Sequence, residues 1–143
     1  MPTRNANAVW EGDLKGGKGT MKLGSGAYEG AYSFASRFES GTGTNPEELI
    51  AAAHAGCFSM AFSHGLAQAG FPPKRVHTTA KVHLEKSAEG FSIPRIDLVT
   101  EADVPNIEDA ALREQAEAAK RNCPVSKLLA AAEITLDLKR VGS

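Results

Sequence analysis

The sequence predicts an α+β fold with one buried helix. Strand-like alternation occurs near both ends and in the middle of the chain, and a long helical segment between these strands carries no formal charge. The length of 143 residues is typical of one domain, so residues 1–143 are expected to form a single domain with its own hydrophobic core.

The first third of the chain is predicted to be β-structure. Residues 9–21 contain two short runs on either side of a Gly-rich segment, which indicates a β-hairpin. Tyr32, Phe34 and Phe38 then stand at mostly even spacing among small and polar residues, which favours a third strand that ends near Arg37.

The clearest boundary in the sequence marks the start of the long helix. Thr44 or Asn45 is suited to cap it, Pro46 suits its first turn, and the two glutamates that follow suit the positive end of the helix dipole. Leu49–Ala69 contains no formally charged side chain, and a helix without a charged face is usually buried. Gly70 and the prolines after it end the helix.

The second half of the chain alternates strands and helices. Pro94 interrupts one of these strands, where an edge or a bulge is expected. The predicted elements are strands at residues 74–87, 91–104 and 133–140, a helix at 107–121 and a short helix at 123–129.

Composition limits the partners and the location. The formal net charge is −1, which gives no attraction to nucleic acid or to an acidic membrane surface. No apolar run follows the charged N-terminus, and no segment is expected to supply the roughly 18 apolar residues of a membrane span. The cytoplasm is therefore the expected location. A permanent disulfide is disfavoured there, so a catalytic or metal-binding role gains weight for Cys57 and Cys123.

The two cysteines differ in their predicted surroundings. Cys123 precedes Pro124 at a predicted helix start with basic residues nearby, which favours the thiolate that catalysis requires. Cys57 lies within the apolar helix, where burial raises the pKa of a thiol. Positive charge from another part of the fold would have to compensate for that burial.

Helical geometry supplies a partner for Cys57. At about 100° per residue, Glu47 lies about 80° from Cys57 around the helix axis, and His54 and His64 fall near the same side. A carboxylate alone opposes a thiolate. It becomes useful when it orients an arginine that can donate to the thiolate, and Arg37 is the arginine that we select.

Other interpretations of these residues stay open. A single cysteine in an alanine-rich helix is often a small core residue, and the two histidines of this helix also fit core or interface positions. A zinc site that uses both cysteines and histidines is a further alternative. The sequence has no Cys-x-x-Cys pair, so no metal is expected.

The motifs around both cysteines resemble those of the OsmC/Ohr family. Residues 44–49, which lead into residues 52–61, resemble the central helix of that family, and the Cys-Pro-Val-Ser segment at 123–126 resembles its second cysteine motif. The opening segment 10–19 and residues 36–39 resemble the OsmC branch in particular. The resemblance covers almost the whole chain in order.

The resemblance implies an intertwined homodimer in which strands of both subunits, in antiparallel β-sheets, wrap a buried central helix. It also implies a thiol-dependent peroxidase that prefers organic hydroperoxides. By position, Cys57 attacks the peroxide, Cys123 resolves the product as a Cys57–Cys123 disulfide, and Arg37 with Glu47 forms the activating pair.

The same resemblance implies no metal, flavin or haem cofactor. A dithiol is the expected reductant, with a lipoyl protein as one candidate. The alternative function is a non-enzymatic protein that binds a hydrophobic ligand on the same fold, and a metal-site protein ranks third.

Overall fold

A computed structural model describes residues 1–142 of the chain. These residues divide into two compact units, residues 1–49 and the chain from Ile50 onward. The prediction of a single domain stays a prediction. The first unit holds a three-stranded antiparallel sheet and a short helix, which are β1 (Ala6–Glu11), β2 (Lys18–Leu23), β3 (Glu29–Tyr32) and α1 (Phe34–Phe38).

The predicted hairpin is confirmed as β1 and β2, but the third strand is shorter than predicted. It ends at Tyr32, and the segment that follows is helix α1. Ser33 and Ser36 form a capping box, in which each side chain hydrogen-bonds the backbone N–H of the other residue. Phe34 and Phe38 also fit a helix, because residues four apart lie on the same side of it. Arg37 therefore lies on a helix rather than at a strand end.

The long helix, α2, runs from Pro46 to Gln68 and confirms the predicted boundaries within a few residues. Asn45 caps it, since its Oδ1 accepts a hydrogen bond from the backbone N–H of Glu48 at 2.8 Å. At the other end Gly70 adopts a φ of 94°, a left-handed conformation that only glycine enters readily.

One side of α2 is covered in the single chain and the other is open. The open side carries small residues, the exposed His64 and Met60, whose exposed fraction is 76%. The covered side presents residues at a spacing of four, which are His54, Phe58, Phe62 and Leu66. Burial of the open side, as the sequence predicts, needs a partner surface.

By length and composition alone, α2 could cross a membrane, contrary to the expectation that no segment qualifies. The core helix of a soluble protein passes the same test, and within the chain 22% of the most apolar window of α2 is buried. The apolar composition therefore does not distinguish a membrane helix from one covered by protein.

The second unit packs helices on a three-stranded sheet. Its further elements are β4 (Arg75–Ser87), β5 (Gly90–Asp103), α3 (Asp109–Asn122), α4 (Pro124–Leu128) and β6 (Glu133–Arg140). The order in the sheet is β4–β5–β6. β4 and β5 are antiparallel, and their register shifts at the predicted bulge opposite Pro94. β5 and β6 are parallel, unlike the expected antiparallel pairing, because α3 and α4 form the crossover between them.

The core of the second unit contains residues close to each of the two cysteines. It is built from apolar side chains of three elements, α2, β5 and α3, which include Phe58, Phe62, Leu98, Leu112 and Ala116. Phe58 directly follows Cys57, and Ala119 of the same core lies one turn before Cys123. Core packing therefore sets where each cysteine lies.

Arg140, the last residue of β6, anchors the turn that starts α3. Its guanidinium donates to the carbonyl oxygens of Val104 at 2.9 Å and Ile107 at 2.7 Å, and to the Asp109 carboxylate at 2.6 Å. This turn contains Asn106 with a φ of 72°, so its carbonyls need a partner other than a regular ladder.

We expect Arg140→Ala to lower the free energy of unfolding by about 2 kcal/mol, because two part-buried carbonyls and a carboxylate lose a charged donor. Urea denaturation monitored by circular dichroism measures the change. Lys139→Ala is the matched control, because it removes an exposed cation from the same strand, and it should stay within about 0.5 kcal/mol of the unmutated chain. Equal losses in both variants would contradict the anchoring role of Arg140.

Candidate active site

Cys57 and Cys123 lie in contact although 66 positions separate them in the sequence. The two thiols are hydrogen-bonded to each other, with the Sγ atoms 2.8 Å apart, and both residues are free cysteines. Cys57 is half-buried, whereas the exposed fraction of Cys123 is 0%. The structure therefore brings together the two cysteines that the sequence selected, and only one of them is accessible from solvent.

Cys123 occupies the junction between two helices. Its backbone N–H donates to the Ala119 carbonyl of α3 at 2.9 Å, and its carbonyl accepts from Lys127 of α4 at 3.1 Å. Pro124 takes the first position of α4, where its missing N–H costs no hydrogen bond. The junction turns the chain sharply enough to direct the Cys123 side chain at α2.

The surroundings of Cys57 oppose the formation of a thiolate. Burial raises the pKa of the Cys57 thiol above its ordinary value, and the contact with Cys123 raises it further. A backbone hydrogen bond from Val125 acts in the opposite direction but is a smaller effect. A Cys57 that reacts at neutral pH needs an additional positive charge.

Arg37 and Glu47 form a bidentate ion pair in the first unit. Arg37 Nε and Nη2 donate to the two carboxylate oxygens of Glu47, each at 3.0 Å. The Glu47 side chain is 10% exposed and the Arg37 side chain 35%. The planar fork holds the guanidinium in one orientation while leaving the Nη1 side free to donate elsewhere.

Hydrogen bonds between α1 and the start of α2 hold this pair in register. Ser36 Oγ donates to the Thr44 carbonyl at 2.7 Å, and Asn45 Nδ2 donates to the Ser36 carbonyl at 3.0 Å. Arg37 is the residue after Ser36, and Glu47 lies two residues after Asn45. These bonds therefore place the Arg37 and Glu47 side chains opposite each other.

An aromatic cavity of about 230 Å³ adjoins Arg37. The rings of Trp10 and Tyr32 lie with their centroids 5.3 Å apart, and those of Phe34 and Phe38 lie 4.9 Å apart. The sequence predicts strands for these aromatic residues and does not indicate a binding site. Their convergence depends on α1, which the spacing alone did not identify.

His54 makes a buried contact that the sequence did not predict. Its Nε2 is hydrogen-bonded to Ser126 Oγ at 2.7 Å, and Nδ1 has no partner among the described residues. Burial lowers the pKa of His54, so the ring is neutral at neutral pH. With the proton on Nε2, the unpaired Nδ1 is an acceptor. The other tautomer would leave a buried N–H donor unpaired at Nδ1, which costs more. His64, on the same helix, is exposed.

Within residues 1–142, no group of three or more His, Cys, Asp or Glu side chains is arranged to hold a metal ion. What the cysteine pair can do chemically is exchange two thiols for one disulfide, since the sulfurs already touch. What the arginine pair can do is donate hydrogen bonds to an anion or to a polar oxygen beside an apolar group.

Comparisons with known proteins identify relatives across the whole chain. The chain is 50% identical over 135 residues to "Peroxiredoxin OsmC" of Escherichia coli (strain K12), covering 94% of each chain. It is 37% identical over 89 residues to "Organic hydroperoxide resistance protein-like 1" of Staphylococcus saprophyticus, covering 59% of this chain and 60% of that one.

Solved structures share the fold. The organic hydroperoxide resistance protein OhrB of Bacillus subtilis superposes with a TM-score of 0.75 at 26% identity, covering 94% of this chain and 98% of that one. A protein from Legionella pneumophila, described as organic hydroperoxide resistance protein OsmC, has a TM-score of 0.78 at 21% identity, covering 97% and 99%. At that identity the second likeness concerns the fold alone.

A model of the family described as "OsmC-like protein" matches residues 39–139, which include Cys57 and Cys123 and the core that positions them. Together with the near full-length relative at 50% identity, this match settles the affiliation that the two cysteine motifs predicted. The chain belongs to the OsmC-like family.

Proposed function

We propose that this protein is a cysteine-based peroxidase that reduces organic hydroperoxides through Cys57 and Cys123. The observation that carries the proposal is the 2.8 Å contact between the two sulfurs, one half-buried and the other fully buried. Peroxide reduction as such is supported by the 50% identity to a peroxiredoxin. The organic preference, the disulfide step and the role of each residue are our assignments.

The difference in accessibility supports our assignment of the two roles. Peroxide from solvent reaches Cys57 first, because Cys123 is fully buried. The Cys57 thiolate attacks one peroxide oxygen, the O–O bond breaks, and the electron pair leaves with the other oxygen, which takes a proton to become an alcohol. Cys57 is then a sulfenic acid. The Cys123 sulfur displaces its hydroxyl as water and forms the disulfide. A dithiol reduces this disulfide by exchange, and a lipoyl protein is one candidate.

We assign the activating charge to Arg37, oriented by Glu47. Nothing in the immediate surroundings of Cys57 that shifts its pKa carries a positive charge, and burial works against the thiolate. The bidentate bond of Arg37 to Glu47 limits the motion of the guanidinium. In the assembled protein this guanidinium would stabilise the thiolate and donate to the peroxide oxygen that develops negative charge.

The preference for organic peroxides is supported by the cavity beside Arg37. An apolar substituent would lie among the aromatic rings of Trp10, Tyr32, Phe34 and Phe38 while the peroxide oxygens reach the guanidinium. Burying that substituent stabilises the complex by about 25 cal/mol per Å² of apolar surface. Hydrogen peroxide has no such substituent, so it would bind more weakly.

We assign the open side of α2 to a second copy of the chain. Met60 is 76% exposed there, and an apolar helix side of this length is not stable in water without a cover. A homodimer covers it on both subunits at once through a two-fold axis.

We place the protein in the cytoplasm and propose no cofactor.

The two cysteines should fail differently when replaced. Cys57→Ser should abolish turnover, because a serine hydroxyl is not ionised at neutral pH. Cys123→Ser should still reduce a first equivalent of tert-butyl hydroperoxide, and a second equivalent should then oxidise its Cys57 sulfenic acid to sulfinic acid. Intact mass separates the outcomes: the unmutated chain loses two hydrogens, and Cys123→Ser gains oxygen. Hydrogen peroxide, run in parallel, should react more slowly.

The reverse pattern, with Cys123→Ser inactive and Cys57→Ser still turning over, would exchange the two roles. Two thiols that stay unreactive towards both peroxides would instead favour the non-enzymatic binding protein. Denatured samples titrated with a thiol reagent provide the control that both cysteines are reduced at the start.

Arg37→Ala should raise the pKa of Cys57 and so slow its alkylation at neutral pH. At a pH below the pKa, each increase of one pKa unit lowers the thiolate fraction about tenfold. The measurement is the alkylation rate of Cys57 against pH in the Cys123→Ser background. Arg113→Ala removes an exposed arginine of α3 and should leave the profile unchanged. A profile unaltered by Arg37→Ala would remove Arg37 from the thiolate's surroundings.

Sedimentation at micromolar concentration should give twice the chain mass of 15.1 kDa. Met60→Glu should weaken the association at least about tenfold, because it places a charge within an apolar contact. Ala110→Glu introduces the same side chain at an exposed position of α3 and serves as the control. A folded, stable monomer of the unmutated chain would contradict the dimer.

A further inference from the structure

A second contact between α2 and α4 runs beside the cysteine pair. His54 Nε2 and Ser126 Oγ are hydrogen-bonded at 2.7 Å, and the exposed fractions of the two residues are 0% and 4%. They are 72 positions apart in the sequence. The chemistry described above uses neither residue.

The two contacts have matching positions on their segments. His54 lies three residues before Cys57, and Ser126 lies three residues after Cys123. Residues three apart are neighbours on a helix surface, so the two contacts are about one helical turn apart. A single contact would let α4 pivot on α2. Two contacts fix both its position and its direction.

The first turn of α4 also directs a backbone group at the same sulfur. The Val125 backbone is hydrogen-bonded to Cys57, between the residues that make the other two contacts. Cys123, Val125 and Ser126 thus face α2 together. A short helix of five residues has little intrinsic stability, so these contacts hold it in place.

Burial makes this hydrogen bond costly to lose. If the bond is lost, neither the His54 ring nor the Ser126 hydroxyl can hydrogen-bond with solvent water instead, because both residues are buried. An apolar pair of similar volume would pack there without a polar group left unpaired. A polar pair instead specifies one relative arrangement of α2 and α4, because only one register forms the bond.

We propose that His54 and Ser126 are positioning residues for the resolving step. They hold the Cys123 sulfur against Cys57, so that the Cys57 sulfenic acid condenses to the disulfide before a second peroxide arrives. This inference rests on the proposed function. The Cys123 thiol donates its proton, its sulfur bonds to the Cys57 sulfur, and the sulfenic hydroxyl leaves as water.

The consequence is a competition with a measurable ratio. The sulfenic acid either condenses with Cys123 or is attacked by more peroxide and becomes sulfinic acid. The peroxide concentration at which the two products are equal reports the resolving rate. Loss of a positioning hydrogen bond worth about 1 kcal/mol should lower that concentration about fivefold.

The test compares the product ratio by intact mass across a range of tert-butyl hydroperoxide concentrations. Ser126→Ala and His54→Leu should each lower the concentration of equal products about fivefold. Because the pair acts as a unit, the double variant should be no worse than either single variant. Ser126→Thr keeps the hydroxyl and should restore the ratio. Consumption of the first peroxide equivalent should change much less.

Ser59→Ala is the matched control. Ser59 also lies on α2, and its hydroxyl donates to Thr78 of β4 at 2.8 Å, away from α4. It loses a side-chain hydrogen bond of the same helix that is part-buried and does not reach α4, so it reports the effect of losing such a bond without loosening α4. All variants are compared at a temperature at which circular dichroism shows each one folded. If one single variant does not fold, the double variant, which leaves no polar partner behind, gives the measurement.

An unchanged product ratio in folded Ser126→Ala, with the unmutated chain forming its disulfide, would overturn the positioning role alone. A Ser59→Ala ratio that falls as far as that of Ser126→Ala would overturn it too. If the unmutated chain forms no disulfide with any peroxide, the proposed function itself fails, and that outcome is distinct from the other two.

Discussion

The contact between the Cys57 and Cys123 sulfurs is the constraint on which the rest of the site depends. It joins residues 66 positions apart, and no local element of the chain can bring them together. The chain leaves α2, forms two strands of the sheet and returns along α3, which packs on the same core as α2. Phe58 beside one cysteine and Ala119 before the other are buried in that core. Hydrophobic packing therefore sets the sulfur separation, and polar bonds refine it.

The same packing creates an electrostatic conflict. A cysteine held in a core by its neighbours is desolvated, and desolvation raises its pKa. A peroxidase needs the thiolate, so the energy lost on burial has to be offset by a fixed charge. A guanidinium clamped by a carboxylate suits that task because it remains charged and adopts one orientation. The cavity beside Arg37 places aromatic side chains next to that charge.

Much of this arrangement could be predicted from the sequence where signals are local. Asn45 and Pro46 mark the start of α2, Gly70 marks its end, and alternation defines β4. The spacing of Tyr32, Phe34 and Phe38 predicts a strand, because even spacing fits the two-residue period of a strand. The spacing of four between Phe34 and Phe38 also fits a helix. What decides for a helix is the reciprocal capping of Ser33 and Ser36, a pattern short enough to be missed.

Non-local features were out of reach for a physical reason. The parallel pairing of β5 and β6 depends on where the crossover helices pack. The bond of His54 to Ser126 depends on the docking of α4 against α2. A histidine in this helix fits a core position, and the structure buries His54 with its Nε2 bonded and its Nδ1 without a partner among the described residues. Its partner could have been suspected only from the matched spacing of three residues to each cysteine.

The open side of α2 links assembly to reactivity. Around the helix axis Cys57 lies about 60° from His54 on the covered side and about 60° from Met60 on the open side. It is half-buried because it stands at the border between the two. A surface that covers Met60 would lie beside Cys57, because residues three apart are neighbours on a helix. The apolar composition of this helix resembles that of a membrane span, and it is equally the composition of a helix that other protein segments cover.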